Sequence, residues 1–317
     1  MPDWIARLDY QFGLQQGWCF AIATPEIILV TLSPTGMKIW QVDFYRRPLQ
    51  DAAGSPLWEL VICTPEQTMV AFCPQSQVNA AWLTQQFQQA IAPEKPDSIQ
   101  VFRPQSVSLI QAACQPLGLA VDPTRRTPDL KAWLQHRATQ YPQMEGYTRQ
   151  PYDPLELDRP APVPLPENLW GDRWRFASIS AQDLVAIFRN RPIPISDCPD
   201  AFLPLQLNLP STQPIPGVII DGGRQSMQLA QWLRRSRPYA LQAIPGDPDG
   251  LILEAGLVER WILTTFADPD VVAAAASFRD RQQSAKGLHF LLVQPDDSGM
   301  TYTGFWLLKG EGVGSRE

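Results

Sequence analysis

Any chemistry in this chain has to be built from carboxylates and arginines, because the other reactive side chains are few and scattered. There are two histidines, His136 and His289, and five cysteines, Cys19, Cys63, Cys73, Cys114 and Cys198, with no C-x-x-C pair. A zinc site needs three or four such ligands converging on one point, and a Ser/His/Asp triad needs its base beside the nucleophile. Neither arrangement is suggested by the spacing. His289 stands inside an apolar run and reads as a core residue, and His136 falls at a helix end, where a cation is favoured. Cys63, Cys73 and Cys114 sit in apolar patterns and read as buried free thiols of a reducing compartment. No catalytic residue, metal or cofactor is expected.

The carboxylates give two weak constellations. Asp43 lies on an alternating strand where a metal-dependent nuclease would place an acid, but the matching later strand ends in Phe102-Arg103 instead of a second acid. Asp221-Gly222-Gly223-Arg224 follows an apolar strand and opens a helix, where backbone N–H groups could hold a phosphate. It lacks the Lys-Ser/Thr of a P-loop and the three-glycine spacing of a dinucleotide fold, so a plain strand-to-helix turn is the simpler reading. Asp221 with Glu254 or Glu259 could pair, yet no lysine follows Glu254 at nuclease spacing.

Arginine is the more suggestive residue. The net charge is −6, which argues against a broad electrostatic footprint on nucleic acid, but the cations are 21 Arg against 5 Lys. Arginine forks onto phosphates and stacks on bases, although a GC-rich genome produces the same bias. Arg234, Arg235 and Arg237 cluster with Trp232 at a helix C-terminus. They either complement the helix dipole or form a local phosphate and stacking patch for RNA. Arg125-Arg126 and Arg46-Arg47 are similar pairs at element ends.

The elements that must position these residues fall into two α/β (α+β) domains. Residues 1–37 form an N-terminal extension and 38–141 a first domain with strands near 38–45, 57–62 and 68–72. A helix follows over 79–91, with Leu83, Phe87 and Ile91 on one stripe. Then come a strand at 99–102, a helix over 106–117 capped by Gly118, a strand at 119–121 and a helix opened by Thr127-Pro128. The order β-β-β-α-β-α-β-α is that of a ribonuclease H-like sheet, which by itself says nothing of chemistry.

Residues 142–168 hold seven prolines and read as a semi-rigid linker. The second domain, 169–310, is a mixed sheet with helices: a strand at 174–179, a short helix at 181–188, a buried strand at 217–220, a helix over 225–236, strands at 251–253 and 261–264, and a helix over 268–284. It closes on a hairpin, 287–294 and 304–308, apolar on both faces, and leaves a tail, 311–317. No apolar run reaches membrane-spanning length, so no membrane insertion is expected. The start lacks the marks of a signal or transit peptide, which makes cytoplasmic residence the expectation.

A series of motifs runs in order through both domains: Trp40-x-Val42-Asp43-Phe44-Tyr45-x-Arg47-Pro48, Leu57-Trp58-Glu59-Leu60, Phe102-Arg103-x-Gln105 and Arg125-Arg126-Thr127. It continues with Tyr141-Pro142-x-Met144-Glu145-Gly146-Tyr147, Gly171-Asp172-x-Trp174-x-Phe176, Leu251-Ile252-Leu253-Glu254 and Gly304-Phe305-Trp306-Leu307-Leu308. In this series, over roughly residues 38–309, the chain resembles the Tab2/Atab2 family of cyanobacteria and chloroplasts. The resemblance implies a non-catalytic protein that binds single-stranded A/U-rich RNA, such as an mRNA leader, and acts in translation of photosystem subunits, notably of photosystem I. It ties the closing Trp306, Leu307 and Leu308 to function; within the family, the missing transit peptide points to a cyanobacterial member. Candidate RNA-binding residues are therefore Trp306, Leu307, Leu308, Arg125, Arg126, Trp232, Arg234 and Arg235.

Two other readings stand beside it. A metal-dependent nuclease on the ribonuclease H-like sheet would require carboxylates from different elements to meet within ligand reach of Asp43. A scaffold for photosystem assembly would bind translation or assembly proteins without RNA.

Overall fold

The computed structural model describes residues 19–21, 37–92, 95–189 and 191–310. The chain divides into two compact units, at Leu157/Asp158. The predicted tail, 311–317, lies outside the described residues, as does all of the predicted extension except Met37 and the strand Cys19–Ala21.

The first unit runs β1 (Cys19–Ala21), β2 (Ile39–Gln50), β3 (Pro56–Cys63), β4 (Thr68–Pro74), α1 (Ala80–Ala90), β5 (Ser98–Val101), α2 (Pro104–Cys114), β6 (Val121–Pro123) and α3 (Pro128–Ala138). From β2 onward this is the ribonuclease H-like order expected from the sequence. The strands lie β1-β4-β3-β2-β5-β6, with β2, β3 and β4 antiparallel and β5 and β6 parallel to β2. Asn79 caps α1 by accepting from the Trp82 N–H, and α2 and α3 each begin on a proline, which lacks only an N–H the helix would not use.

Alternation along β2 sorts its side chains. Trp40, Val42 and Phe44 join Leu60, Ile62, Leu83, Phe87 and Ile110 in an apolar core with α1 and α2. Gln41 and Asp43, one residue out of step, face the other way, toward α3.

The second unit comprises β7 (Val163–Pro164), β8 (Arg173–Ser180), α4 (Ala181–Phe188), β9 (Ile195–Asp197), β10 (Pro214–Asp221), α5 (Ser226–Ser236), β11 (Pro238–Ile244), β12 (Asp249–Ala255), β13 (Glu259–Phe266), α6 (Pro269–Ser284), β14 (Leu288–Gln294) and β15 (Gly304–Lys309). They form two sheets, β8-β10-β14-β15-β9 and β11-β12-β13-β7. The first is mixed: β10 pairs β14 in parallel, and β14 pairs β15 as the terminal hairpin. Strands β7, β9 and β11 are additions to the elements read from sequence. Among the described residues, no helix is long and apolar enough to cross a membrane.

Every residue of β14 is buried, which is what an apolar strand in the middle of a sheet covered on both faces requires. Trp306 and Leu308 enter one core with Leu229, Leu233 and Phe278, while Phe305 and Leu307 enter another with Phe188 and Leu203. Phe188 stacks on Phe305 with ring centroids 4.3 Å apart.

Candidate nucleic-acid interface

The face of the first sheet behind α3 holds a dense cluster of buried charge. Arg47 donates from Nε to Glu59 Oε2, from Nη2 to Asp43 Oδ2, both at 2.9 Å, and from Nη1 to the Tyr152 hydroxyl at 3.0 Å. Arg103 donates to Asp43 Oδ1 at 2.9 Å and to the carbonyls of Glu156 and Pro154. Arg137, on the last turn of α3, forks onto Glu59 Oε1, and Tyr141 donates to Glu59 Oε2.

Asp43 and Glu59 are fully buried, and all four of their carboxylate oxygens already accept from a guanidinium. A catalytic metal needs open oxygen ligands. Here the acid that a nuclease would use meets a second carboxylate, but three arginines occupy the place of the cation. Among the described residues no group of three or more His, Cys, Asp or Glu is placed to hold a metal ion.

The electrostatics agree with that geometry. Burial alone would raise the Asp43 carboxyl, but attraction and hydrogen bonds from Arg103 and Arg47 outweigh it and hold the group below its ordinary value. Burial raises both Tyr141 and Tyr152, so each remains a neutral phenol. The Cys63 and Cys114 thiols are pushed up to about 12 by the same desolvation, and Cys63, Cys73, Cys114 and Cys198 are all free.

The candidate residues fall into separate places. Trp306, Leu307 and Leu308 are 1%, 0% and 0% exposed, so their side chains pack the second unit and present no surface to a ligand. Arg125 is also buried and Arg126 half-buried. Arg234 and Arg235 are exposed on α5, with Arg235 Nε 3.3 Å from the Gln231 carbonyl of its own helix. Trp232 is half-buried, edge-on to Trp261 at 5.3 Å. The structure thus joins Trp232, Arg234 and Arg235 on one helix, and buries the terminal tripeptide.

His289 is a core residue. The Leu241 N–H donates to its Nε2 and its Nδ1–H donates to the Gly287 carbonyl, both at 2.8 Å. Burial lowers its pKa to about 4. The start of the 221–224 turn is internally bonded: Asp221 accepts from Arg175 and Gln294, and the Gly222 and Gly223 N–H groups donate to the carbonyls of Gln294 and Pro295. Those donors are spent and hold no phosphate. Glu254 pairs with Arg159 at 3.0 Å, so the two acids sit in different ion pairs.

A pocket of about 140 Å³ opens in the second unit between the 165–174 segment, β10, α5 and β13, lined among others by Leu165, Trp170, Arg173, Trp174, Leu229 and Thr264. Trp170 is 55% exposed, yet its indole N–H donates to the Leu165 carbonyl at 3.0 Å. Gly171 lets this segment press on β10, since a Cβ there would meet Ile220 at 2.5 Å. Trp174 is braced by Phe176 and Phe266. Sequence reasoning quoted Gly171, Asp172 and Trp174 as motif residues without placing a site on them. The available signal was the density of aromatic and arginine side chains over 170–176, just after a proline-rich stretch.

Residues 39–137 match the family model described as RNA-binding protein Tab2/Atab2 N terminal, and residues 152–309 match its C-terminal domain. The chain is 31% identical over 294 residues to "Protein TAB2 homolog, chloroplastic" of Zea mays, covering 87% of this chain and 73% of the relative. The protein of the same name in Arabidopsis thaliana is 30% identical over 287 residues, covering 86% of this chain and 74% of the relative. A solved simian T-cell lymphotropic virus intasome in complex with PP2A regulatory subunit B56 gamma aligns at a TM-score of 0.26 and 17% identity. It covers 36% of this chain and 44% of that chain, too slight a likeness to carry an argument.

Proposed function

The chain belongs to the Tab2/Atab2 family of RNA-binding proteins, and from that premise we propose that it binds single-stranded A/U-rich RNA, as in an mRNA leader. In this reading it acts without catalysis in the translation of photosystem subunits, mainly those of photosystem I. The observation that carries it is the match of both family models, in order, over the two units. The relatives' names place them in chloroplasts. For this chain we propose the cytoplasm of a cyanobacterial cell, a reducing compartment in keeping with its free thiols. Translation or photosystem assembly proteins are proposed as further partners.

Two structural features support the non-catalytic reading. The carboxylates at the nuclease position are neutralised by arginine, and α5 presents exposed Arg234 and Arg235 on the helix that carries Trp232. Recognition of single strands rests on stacking and local phosphate contacts, which an acidic protein can still provide from one face.

The test is titration of the purified full chain with labelled A/U-rich, C-rich and duplex RNA of equal length. Circular dichroism confirms folding, and the RNA is recovered after incubation with Mg²⁺ or Mn²⁺. The expected result is salt-sensitive binding favouring A/U-rich single strands, with the RNA intact. No binding by the folded chain, or metal-dependent cleavage, overturns the reading.

A further inference from the structure

We propose that the pocket between Trp170, Arg173 and Trp174 receives one unstacked base of single-stranded RNA, with the adjoining phosphate at Arg173. The inference rests on the RNA-binding reading above and assigns it a place. Three observations carry it.

The first is the state of Trp170. An exposed tryptophan ordinarily keeps its N–H toward water, because a buried indole N–H needs a partner. Here the N–H is tied to the Leu165 carbonyl while more than half the residue remains exposed. What is offered outward is therefore the ring, already held by a hydrogen bond and by the close approach of Gly171 to β10. A π-face fixed before binding is what base stacking uses, since little side-chain freedom is then lost.

The second is size. A cavity of about 140 Å³ is well below the roughly 300 Å³ at which drug-sized ligands begin to be enclosed. One flat ring system suits it better than a folded peptide. Its lining side chains are apolar apart from Arg173 and Thr264, so ring burial supplies most of the affinity.

The third is charge. Arg173 is the charged residue among those lining the pocket. As the first residue of the edge strand β8 it turns its side chain to the face opposite Trp174, so the phosphate next to a seated base reaches it round the sheet edge. Its exposed guanidinium lies 4.0 Å from the equally exposed Asp297, a contact too weak in water to hold it. Gly223 packs against Asp172, where a Cβ would meet the carboxylate at 2.2 Å. Arg224, the next residue, is exposed. Asp172 and Asp297 offset part of this field, so the pocket engages about one phosphate and leaves the rest to stacking.

The test combines Trp170→Ala and Arg173→Gln in the full chain with 4-thiouridine cross-linking of A/U-rich RNA. Trp170→Ala is expected to weaken binding about tenfold at an unchanged salt slope. Arg173→Gln should weaken it less and flatten the slope of log K against log salt by about 0.7, the share of one single-strand phosphate. Cross-links should map to the peptide spanning 165–175. If the folded chain binds RNA, both variants keep wild-type affinity and the cross-links map elsewhere, this inference falls and the RNA reading stands. A folded chain that binds no RNA removes both. If Trp170→Ala spares RNA affinity but abolishes a protein association that survives nuclease treatment, the occupant is a protein and the base pocket is overturned.

Discussion

In the first unit Arg47, Arg103 and Arg137 meet Asp43 and Glu59 behind α3, with every carboxylate oxygen taken. In the second, Trp170 stands more than half exposed beside an open pocket with its one polar side-chain atom already bonded. Both regions join side chains that could serve a ligand. What separates them is spare capacity. A buried polar network with all its partners is closed to newcomers, because any ligand would have to replace contacts already made. A pinned aromatic ring facing water has lost its flexibility and gained nothing on that face, so binding there costs little.

The widest gap between the two regions should appear on breaking each. Arg47→Met strips partners from two buried carboxylates and is expected to cost about 3–5 kcal/mol. Trp170→Ala removes a half-exposed ring and one hydrogen bond and should cost about 1 kcal/mol. Urea unfolding of the two variants decides this, and equal losses would erase the contrast.

Trp306→Ala tests the buried side of the second unit. Removing an indole from a closed core is expected to cost about 3–5 kcal/mol. RNA affinity should then fall only with the folded fraction, measured by circular dichroism in the same samples. Lost affinity in fully folded protein would mean that Trp306 acts on RNA directly.

Acid separates the units by the pH window in which each loses stability. His289 has a folded pKa near 4, below its unfolded value of about 6.5. The neutral form is favoured in the fold, so its contribution is complete above about pH 6.5 and declines as pH falls toward 4, by about 3 kcal/mol in all. The Asp43 shift is also downward, but that contribution survives until pH falls below the ordinary carboxylate range. Hydrogen exchange followed from pH 7 to 4 should therefore show the second unit loosening while the first holds. Loss in the first unit alone would contradict the assignment.

The strongly patterned parts of the chain were readable in its residues. The ribonuclease H-like order followed from alternation in β2 to β4, from the Leu83, Phe87 and Ile91 stripe, and from helices marked by Gly118 and Thr127-Pro128. The double-faced hairpin followed from its unbroken apolar runs. Strand β11 was missed because it opens on Pro238, directly after an arginine-rich helix end, although β12 then pairs along its length. The ion network was missed for a different reason. Arg47 looked like one of a pair at a strand end, but β2 runs to Gln50 and turns Arg47 inward toward Glu59 on the neighbouring strand. The pocket draws on residues from 165 to 264, a convergence that local periodicity cannot express.

Burying Arg47 and Arg103 has an effect on kinetics as well as on architecture. Guanidiniums locked inside, and cancelled there by carboxylates, add nothing to the outward field of a chain whose net charge is already −6. Such a protein meets a polyanion without long-range steering. Encounter is left to diffusion, and discrimination between one strand and another is made in how long the contact lasts.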